Sequence, residues 1–288
     1  MGEGYDALRG GAACMDLSAR GRIVVRGRDR ARLLHNITTN EVKSLAPGAG
    51  CYAFLLSPQG RIQADLLLFC FEDHFLIETE PELREKVLQH IRRYIVADQV
   101  ELEDAAARIG EAALEGPGAA AVLASLDAPV PLADYAHAPW GTATVASASL
   151  TGQPGFRLFC PAAETAGLIR RLQSAGAKPA TPKDCRIVRV ENGKPRYGED
   201  ILETSLPQET GQMHAVSFSK GCYLGQEIVE RIRARGHVNR RLRLVALPGV
   251  EPAPPGSLLQ VDGKPAEVAS SVYSPRAGMA IALVYVRE

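Results

Sequence analysis

The stretch SFSKGCYLGQEIVERIRARGHVNRR, residues 217–241, carries the strongest indication of fold and function in this chain. One cysteine, Cys222, follows Lys220 and a glycine, and six arginines follow that cysteine up to Arg243. Residues 220–243 carry seven basic side chains and two acidic ones, although the formal net charge of the whole chain is zero. A local basic excess beside a thiol is typical of a site that binds an anion or uses a thiolate.

The surroundings of Cys222 favour a reactive thiol. The segment after it reads as a helix whose first turn would carry Gln226 and Glu227. The positive end of a helix and a lysine two positions away both stabilise a thiolate. A buried cysteine in a tight turn is the ordinary alternative, but the flanking glycines permit a close approach of the backbone and the setting is polar, which favours the functional interpretation. We therefore predict Cys222 and Lys220 as the catalytic residues.

The other cysteines indicate neither a metal site nor a disulfide framework. Cys51, Cys70 and Cys160 lie within the apolar runs CYAFLL, LLLFCF and FRLFC, which predicts them as small core residues. No two of the six cysteines form a CxxC or CxH knuckle, so we expect no metal site built by this chain alone. The N-terminus lacks the pattern of a signal peptide, so we expect a cytoplasmic location and reduced thiols.

The basic run after Cys222 has two interpretations that the sequence leaves open. Glu227 and Arg231 are spaced for an i,i+4 ion pair, as on a solvated helix face. Guanidinium groups also bind phosphate and carboxylate groups, so the same arginines could form an anion site. A net charge of zero argues against a general nucleic-acid-binding protein but is compatible with a local basic patch.

Composition and periodicity predict two or three domains built from helices and strands. The chain has 288 residues, 46% hydrophobic and 23% charged, and no apolar stretch long enough to cross a bilayer. Residues 110–140 are rich in Ala, Pro and Gly and predict only a short helix, whereas short strands after His237 predict a small β-barrel or sandwich. Apolar spacing elsewhere predicts helices over residues 28–45, 81–98, 162–175 and 183–193. It also predicts a strand over 21–27, a hairpin around the turn SPQG, and strands near 141–148 and 155–160.

Two carboxylates occupy positions that need an explanation. Asp65 interrupts the apolar strand RIQADLLLF, where an acidic side chain must be exposed, paired or functional. Glu191 ends an amphipathic helix just before NGKPRYG, where a carboxylate opposes the helix dipole. For each carboxylate, a structural role at a strand edge or a helix cap explains the position as well as a functional role does.

Several motifs together resemble one protein family. The run K-G-C-Y-x-G-Q-E, residues 220–227, is long and specific and resembles the signature of the YgfZ-type folate-binding proteins. These proteins are relatives of the glycine-cleavage aminomethyltransferase, the T-protein. CRIVRVENGKPRYGEDI, LLHNITTNEV and CYAFLLSPQGRIQADLLLF resemble further segments of that superfamily, so the resemblance covers nearly the whole chain.

The resemblance implies a fold, a domain division and a ligand. The family fold is of the α+β class, a cloverleaf of subdomains around a central folate channel, with a small C-terminal β-barrel. It implies a folate-binding aminomethyltransferase-like region over residues 1–237, with two interleaved α+β subdomains, one of them roughly 48–135, and a β-barrel domain over 238–288. The implied cofactor is tetrahydrofolate or a one-carbon derivative of it, polyglutamated forms included.

The same resemblance implies roles for individual residues. Asp65 matches the acid near the reactive end of tetrahydrofolate, and Glu191 matches the carboxylate that holds the amino-pyrimidine edge of the pterin ring. Tyr52, thirteen residues before Asp65, matches a pocket tyrosine, and Tyr197 is assigned to the same folate site. Arg231 is implied as the partner of the anionic glutamate tail.

The resemblance implies one leading function, and two alternatives remain open. YgfZ-type proteins are implicated in assembling or repairing iron–sulfur clusters in target enzymes, tRNA-modifying enzymes among them, and Cys222 would be the reactive group. A folate-dependent aminomethyl or methyl transferase is the first alternative, although aminomethyltransferases carry adjacent acids where this chain has Ala64-Asp65, and lack the cysteine motif. An RNA-binding module is the second, and the scarcity of aromatic residues near the arginines counts against it.

Whether the protein is itself an enzyme is left open by these alternatives. The expected partners are a folate and iron–sulfur client enzymes, with a tRNA contact as a further option. We expect no membrane partner and a monomeric chain.

Overall fold

Seven α-helices and three β-sheets make up the computed structural model, which describes residues 2–288 and confirms the predicted α+β class. The α-helices are α1 (Glu3–Gly10), α2 (Arg30–Ile37), α3 (Arg84–Arg93), α4 (Ala119–Ser125), α5 (Thr165–Ser174), α6 (Pro182–Glu191) and α7 (Gln226–Arg235). Short 3-10 segments lie at Pro81–Leu83, Ala162–Glu164, Pro207–Glu209 and Met213–Ala215.

The first sheet is antiparallel and has five strands. They are β2 (Gly21–Arg26), β3 (Gly50–Leu56), β4 (Ile62–Cys70), β5 (His74–Thr79) and β6 (Glu101–Asp104), in the order β3-β4-β5-β2-β6. Alternate residues of β4 are buried against α2 and α3 in the main core. Because successive strand residues point to opposite faces, Asp65 and Leu67 face away from that core.

The second sheet has six strands and packs against the first. They are β1 (Ala13–Asp16), β7 (Ile109–Glu115), β8 (His137–Trp140), β9 (Ala143–Ser147), β10 (Gly155–Pro161) and β11 (Lys178–Pro179), in the order β11-β1-β7-β10-β9-β8. Helices α4 and α5 cover its outer face. On its inner face Phe159 and Ala146 pack against Phe69 and Leu76 of the five-stranded sheet, so the two sheets face each other.

The C-terminal strands form a third, curled sheet that stays open as a half-barrel. Its strands are β12 (Arg240–Ala246), β13 (Leu258–Val261), β14 (Lys264–Ser274) and β15 (Met279–Arg287), in the order β12-β15-β14-β13. Val272, Ile281 and Leu283 of this sheet pack against Val190 at the end of α6. The half-barrel is therefore attached to the helix that carries Glu191.

Strand β7 corrects the sequence prediction for residues 110–140. The sequence predicts only a short helix there, yet IGEAALE pairs with both β1 and β10 in the middle of the second sheet. Alanine and glutamate are depleted in strands, so propensity gave no signal. Pairing on both sides and full burial of Ala112, Ala113 and Leu114 determine the strand instead.

Two helices end earlier than their apolar spacing predicts. Helix α2 ends at Ile37, where the sequence predicts a helix to residue 45, and α3 ends at Arg93. The hydroxyl of Thr38 donates to the carbonyl of Leu34 at 2.7 Å, and the hydroxyl of Thr39 donates to the carbonyl of Ala215 at 2.6 Å. Such side-chain bonds offer the backbone an alternative to the helix.

The predicted subdomain over roughly 48–135 stays a prediction; β2 belongs to the first sheet and β7 to the second. The division into residues 1–237 and 238–288 stays a prediction, and the third sheet begins at Arg240. Across residues 2–288, no helix combines the length and the apolar character required to span a membrane.

Candidate functional site

A cavity of about 390 Å³ lies where the two large sheets meet the loop that follows α6. Strands β4 and β5 contribute to one side of its wall, β9 and β10 to the other, and residues 194–196 and 212–214 close it. Its ionisable wall residues are Arg20, Tyr52, Asp65, Glu78, Glu80, Asp134, Tyr135, Arg157, Arg189, Lys194, Arg196 and His214.

Asp65 and Tyr52 form a hydrogen-bonded pair on this wall. They lie on the neighbouring strands β4 and β3, and the Tyr52 hydroxyl donates to Asp65 Oδ2 at 2.9 Å. The other carboxylate oxygen, Oδ1, is buried and has no hydrogen-bond partner within residues 2–288. Buried acceptors without a donor are rare in folded proteins. Oδ1 is therefore the carboxylate oxygen whose hydrogen-bonding capacity is unused within these residues.

The surroundings raise the pKa of Asp65 to about 6. Burial is the largest cause and the charge of Glu80 adds to it, whereas Arg20 and the hydrogen bond from Tyr52 oppose the rise. Burial and the neighbouring Asp65 also raise the pKa of Tyr52, so its hydroxyl remains a donor. A carboxylate that titrates close to neutral pH is suited to taking up and releasing a proton.

A buried ionic cluster lies beside Asp65 and joins the two sheets. Arg157 of β10 has one carboxylate oxygen each of Glu78, Glu111 and Glu115 at 3.3, 3.4 and 3.4 Å. Sequence reasoning missed this cluster. The available signal was the presence of charged residues inside apolar strand runs such as FLIET, EAALE and FRLFC.

Glu111 is the least satisfied member of that cluster. Its side chain is fully buried, and neither carboxylate oxygen has a hydrogen-bond partner within residues 2–288. Burial first, and repulsion from Glu78 second, raise the pKa of Glu111 to about 8 despite the nearby arginines. The cluster therefore holds a proton at neutral pH, which reduces its negative charge.

Lys194 and His214 also line the cavity, and the sequence did not predict either residue there. The His214 ring stacks on Tyr52, with the ring centroids 5.3 Å apart. The ammonium group of Lys194 donates to the backbone carbonyl of Ser149. Burial lowers the pKa of both groups, and the charge of Lys194 lowers that of His214 further.

Glu191 lies at the C-terminal end of α6, outside the set of residues that line the cavity. Its carboxylate accepts hydrogen bonds from Tyr5 at 2.9 Å and Ser274 at 2.5 Å, and it pairs with Arg9 at 3.3 Å. These contacts tie α1 and the third sheet to α6. The Glu191 side chain is therefore bonded to Tyr5, Ser274 and Arg9 and does not line the cavity that contains Asp65.

Tyr197 and Arg231 also lie outside the cavity wall. Tyr197 is buried in the main core, and its hydroxyl has no hydrogen-bond partner within residues 2–288. Arg231 lies on the exposed side of α7. The i,i+4 pair that the spacing of Glu227 and Arg231 allows is not formed; the ion pair within the described part of α7 is Arg233–Glu230 at 3.6 Å.

Lys220 has a structural role, as a donor to backbone carbonyls, that the sequence did not indicate. It is buried, and its ammonium group donates to the backbone carbonyls of His35, Thr38 and Asn40, the last two at 2.8 and 2.6 Å. These carbonyls lie at and beyond the end of α2, where helical carbonyls lack partners and carry negative potential. Burial lowers the pKa of Lys220 to about 8.

Cys222 is exposed and lies just before α7, which begins at Gln226 as predicted. The other cysteines are buried, as the sequence predicts for Cys51, Cys70 and Cys160. Residues 2–288 contain no group of three or more His, Cys, Asp or Glu side chains arranged to hold a metal ion.

Comparison with known proteins gives a consistent result. A model of the GCVT N-terminal domain matches residues 1–220. An aminomethyltransferase of Rubrobacter xylanophilus is 33% identical, over 98% of this chain and 78% of the relative. One from Thermus thermophilus is 30% identical, over 99% of this chain and 82% of the relative.

A solved structure confirms the T-protein-like fold. The glycine cleavage system aminomethyltransferase T from Bartonella henselae matches with a TM-score of 0.88, over 99% of this chain and 81% of that chain. The identity of 21% makes this a likeness of fold. With the family match over residues 1–220 and the relatives across nearly the whole chain, this protein belongs to the GCVT family, within the T-protein superfamily.

Proposed function

We propose that this protein binds a reduced folate in the central cavity and takes part in the transfer of a one-carbon group. The observation that carries the proposal is Asp65, a carboxylate on the cavity wall with one bonded oxygen, one free oxygen and a pKa of about 6. The stacked rings of Tyr52 and His214 add a flat aromatic surface next to it. A carboxylate beside such a surface suits a planar ligand with N–H donors.

The residues of the wall have separable tasks in this proposal. Tetrahydrofolate, when bound, supplies a nucleophilic nitrogen that carries the one-carbon unit. Asp65 accepts a proton at Oδ1, while the hydrogen bond from Tyr52 to Oδ2 fixes the orientation of the carboxylate. Glu191 and Tyr197 keep their implied folate-binding roles as part of the proposal. Glu191 would then share its carboxylate between the pterin edge and its contacts with Tyr5 and Ser274.

Calorimetric titration with tetrahydrofolate tests the folate proposal. We expect the wild type to bind, and we expect Asp65→Asn and Glu191→Gln each to weaken binding by roughly tenfold, since each loses a charged hydrogen-bond acceptor. Asp6→Asn, a change on the exposed side of α1, is the matched control. A wild type that gives no binding heat at high micromolar concentrations contradicts the proposal.

We propose as a second function that the protein is a YgfZ-type accessory factor for iron–sulfur enzymes, with Cys222 as its reactive group. The supporting observation is that Cys222 is exposed while the other five cysteines are buried. Lys220 donates to the carbonyls after α2, which leaves the helix terminus as the proposed source of positive potential for the thiolate.

Alkylation rates measured by mass spectrometry test the reactive-thiol proposal. Cys222 should react with a mild alkylating agent well before Cys51, Cys70 or Cys160. Cys222→Ser should leave folate binding intact and abolish the support of iron–sulfur enzymes in cells. Equal labelling of all cysteines, or full cellular support by the serine variant, would refute the role of this thiol.

The exposed arginines of α7 are proposed as a contact for an anionic partner. Arg231, Arg233 and Arg235 are all exposed, and Arg233 lies 4.4 Å from the ring centroid of Phe218. If they hold a polyglutamate tail, longer tails should bind more tightly, and salt should reduce that difference. If they contact tRNA, affinity for tRNA should fall steeply with salt. Equal binding of short and long tails, with no RNA binding, would leave these arginines as a solvated surface.

A further inference from the structure

We propose that Lys194 is the residue of the central cavity that binds a carboxylate group of the ligand. The inference rests on the proposed folate function and deepens it, because carboxylates occur on the glutamate moiety of folates and on amino-acid donors of one-carbon groups. It assigns a specificity-determining role to a residue that sequence reasoning did not select.

Lys194 differs from the other cations of the wall in its partners. Each of the four arginines of the wall has an acidic group within 4.0 Å: Arg20–Glu80 at 2.9 Å, Arg157–Glu78 at 3.3 Å, Arg189–Glu199 at 2.5 Å and Arg196–Glu80 at 2.8 Å. No carboxylate within residues 2–288 comes that close to the ammonium group of Lys194. The positive charge of Lys194 is therefore not paired with a carboxylate of these residues and can pair with an anionic ligand.

The ammonium group of Lys194 also has unused hydrogen-bonding capacity. It donates to one acceptor within residues 2–288, the carbonyl of Ser149, and an ammonium group has three N–H donors. Removal of a cation from water is unfavourable unless an anion or several acceptors compensate for it. A ligand carboxylate would supply both the opposite charge and the missing acceptors.

The backbone of Lys194 is fixed in place before any ligand binds. Gly193, with φ of 67°, turns the chain at the end of α6. The Lys194 N–H then donates to the carbonyl of Arg189 at 3.0 Å, and the Arg189 guanidinium donates back to the carbonyl of Lys194 at 2.8 Å. Pro195 follows and is buried. A side chain on a prearranged loop loses less freedom on binding, which favours affinity.

A carboxylate bound to Lys194 would lie in the same cavity as Asp65, because both residues line it. Burial lowers the pKa of Lys194 and the charge of Arg157 adds to this effect, whereas the charges of Glu115, Glu78 and Asp65 oppose it. Glu115 and Glu78 are both paired with Arg157, and Asp65 carries a proton for part of the time near pH 6. Repulsion of an incoming carboxylate is therefore limited.

Binding of three ligands to matched variants tests the inference. Tetrahydrofolate has both parts, 6-methyltetrahydropterin lacks the glutamate, and p-aminobenzoylglutamate lacks the pterin. We expect Lys194→Met to weaken tetrahydrofolate roughly ten- to hundredfold, as for loss of a charged hydrogen bond, and to leave methyltetrahydropterin unchanged. Lys194→Arg should retain most of the affinity, and Lys183→Met on the exposed part of α6 is the control.

Chemical labelling of the wild type gives a second readout, which is independent of the variants and includes carboxylate ligands that are not folates. Trypsin should release Lys194 in the peptide VENGKPR, residues 190–196, because the Lys-Pro bond resists cleavage. We expect p-aminobenzoylglutamate and tetrahydrofolate to slow the acetylation of this lysine severalfold. Protection by glycine and no protection by p-aminobenzoylglutamate would assign the carboxylate to an amino-acid donor.

The outcomes separate this inference from the folate proposal. Equal weakening of tetrahydrofolate and methyltetrahydropterin by Lys194→Met would overturn the inference while the folate site stands. A wild type that binds neither ligand would overturn the folate proposal, and protection of Lys194 by carboxylates alone would still support the inference. Absence of protection by every carboxylate tested would overturn it.

Discussion

Asp65 shows how a single residue acquires its chemistry from its neighbours. The alternation of β4 turns the carboxylate away from the main core and onto the cavity wall. Tyr52 engages one oxygen, and burial with the nearby charge of Glu80 makes the ionised form less favourable. The same features that suit Asp65 to proton transfer therefore destabilise the folded protein at neutral pH.

Asp65→Asn should stabilise the protein in a pH-dependent way. The folded-state pKa of about 6 exceeds the ordinary value of 3.8, so the folded protein binds this proton more tightly than the unfolded chain does. The unfavourable contribution of Asp65 therefore grows as pH rises from about 4 to 6 and is constant above that range. We expect the variant to be more stable than the wild type by about 1–3 kcal/mol at pH 8 and nearly equal at pH 4.

Urea denaturation at both pH values measures this difference. The exposed Asp6→Asn variant should match the wild type throughout. An Asp65→Asn variant that is less stable than the wild type at pH 8 would show that the carboxylate is a structural requirement.

At the scale of one element, Lys220 completes the C-terminal end of α2. Three backbone carbonyls after Leu34 share its ammonium group, which takes the place of the helical N–H donors that are missing there. The motif K-G-C-Y-x-G-Q-E thus joins a buried structural lysine to an exposed cysteine two positions later.

Lys220→Met and Cys222→Ser should therefore differ in their effect on stability. The methionine fills the space of the lysine but leaves the carbonyls of His35, Thr38 and Asn40 without their donor. We expect a loss of about 1–3 kcal/mol in the free energy of unfolding. Cys222→Ser should change it by less than about 0.5 kcal/mol, because the side chain is exposed. Thermal unfolding compares the two, and equal stability would contradict the capping role.

The start of α7 depends on Gly225 and not on Gly221. Gly225 has φ of 81°, and a Cβ atom there would lie 2.6 Å from the carbonyl oxygen of Ser57. Gly221 has open space around its Cα. The close backbone approach that glycine permits occurs at Gly225, where α7 meets the turn after β3, and not at Gly221.

Gly225→Ala and Gly221→Ala form a matched pair of variants. Gly225→Ala should lower the free energy of unfolding by about 1–3 kcal/mol, since a left-handed backbone and a steric clash both oppose the methyl group. Gly221→Ala should stay within about 0.5 kcal/mol of the wild type. Denaturant midpoints of both variants check this, and a neutral Gly225→Ala would show that the turn can shift away from α7.

At the scale of the whole molecule, ionic contacts in the interior join the two large sheets. Arg157 of the second sheet is almost fully buried and pairs with Glu78 of the first. Arg20 pairs with Glu78 and with Glu80 in the same region. Removal of one member of a buried ionic group leaves uncompensated charge, which is far more destabilising than loss of a surface pair.

Arg157→Met should destabilise the protein by about 3–5 kcal/mol at pH 8. The effect should be smaller at pH 5, because Arg157 helps to lower the pKa of Glu78 and that carboxylate can take up a proton more readily once Arg157 is absent. Arg108→Met removes an exposed pair with Glu103 and should cost at most about 1 kcal/mol. Denaturation curves at both pH values test this, and similar losses for the two variants would contradict the linking role of Arg157.

The sequence by itself determined the class of fold, most elements and membership of the T-protein superfamily. Strong alternation in β4 and the apolar stripe of α3 specify those elements locally, because every second or every third to fourth side chain must be buried. The strands after His237 follow from the same alternation between turn residues. The burial of Cys51, Cys70 and Cys160 was predictable for the same reason, since each lies within an apolar run.

Only the tertiary structure decided how the charged residues are used. Lys194, His214 and Arg157 are distant in sequence from Asp65, and chain topology alone brings them to one cavity. Lys220 lies beside Cys222 in sequence but reaches back to α2, while Glu191 is engaged by α1 and the third sheet. Sequence spacing describes contacts along one element, whereas the charge partners of a buried group come from other elements, and these partners determine its pKa and its role.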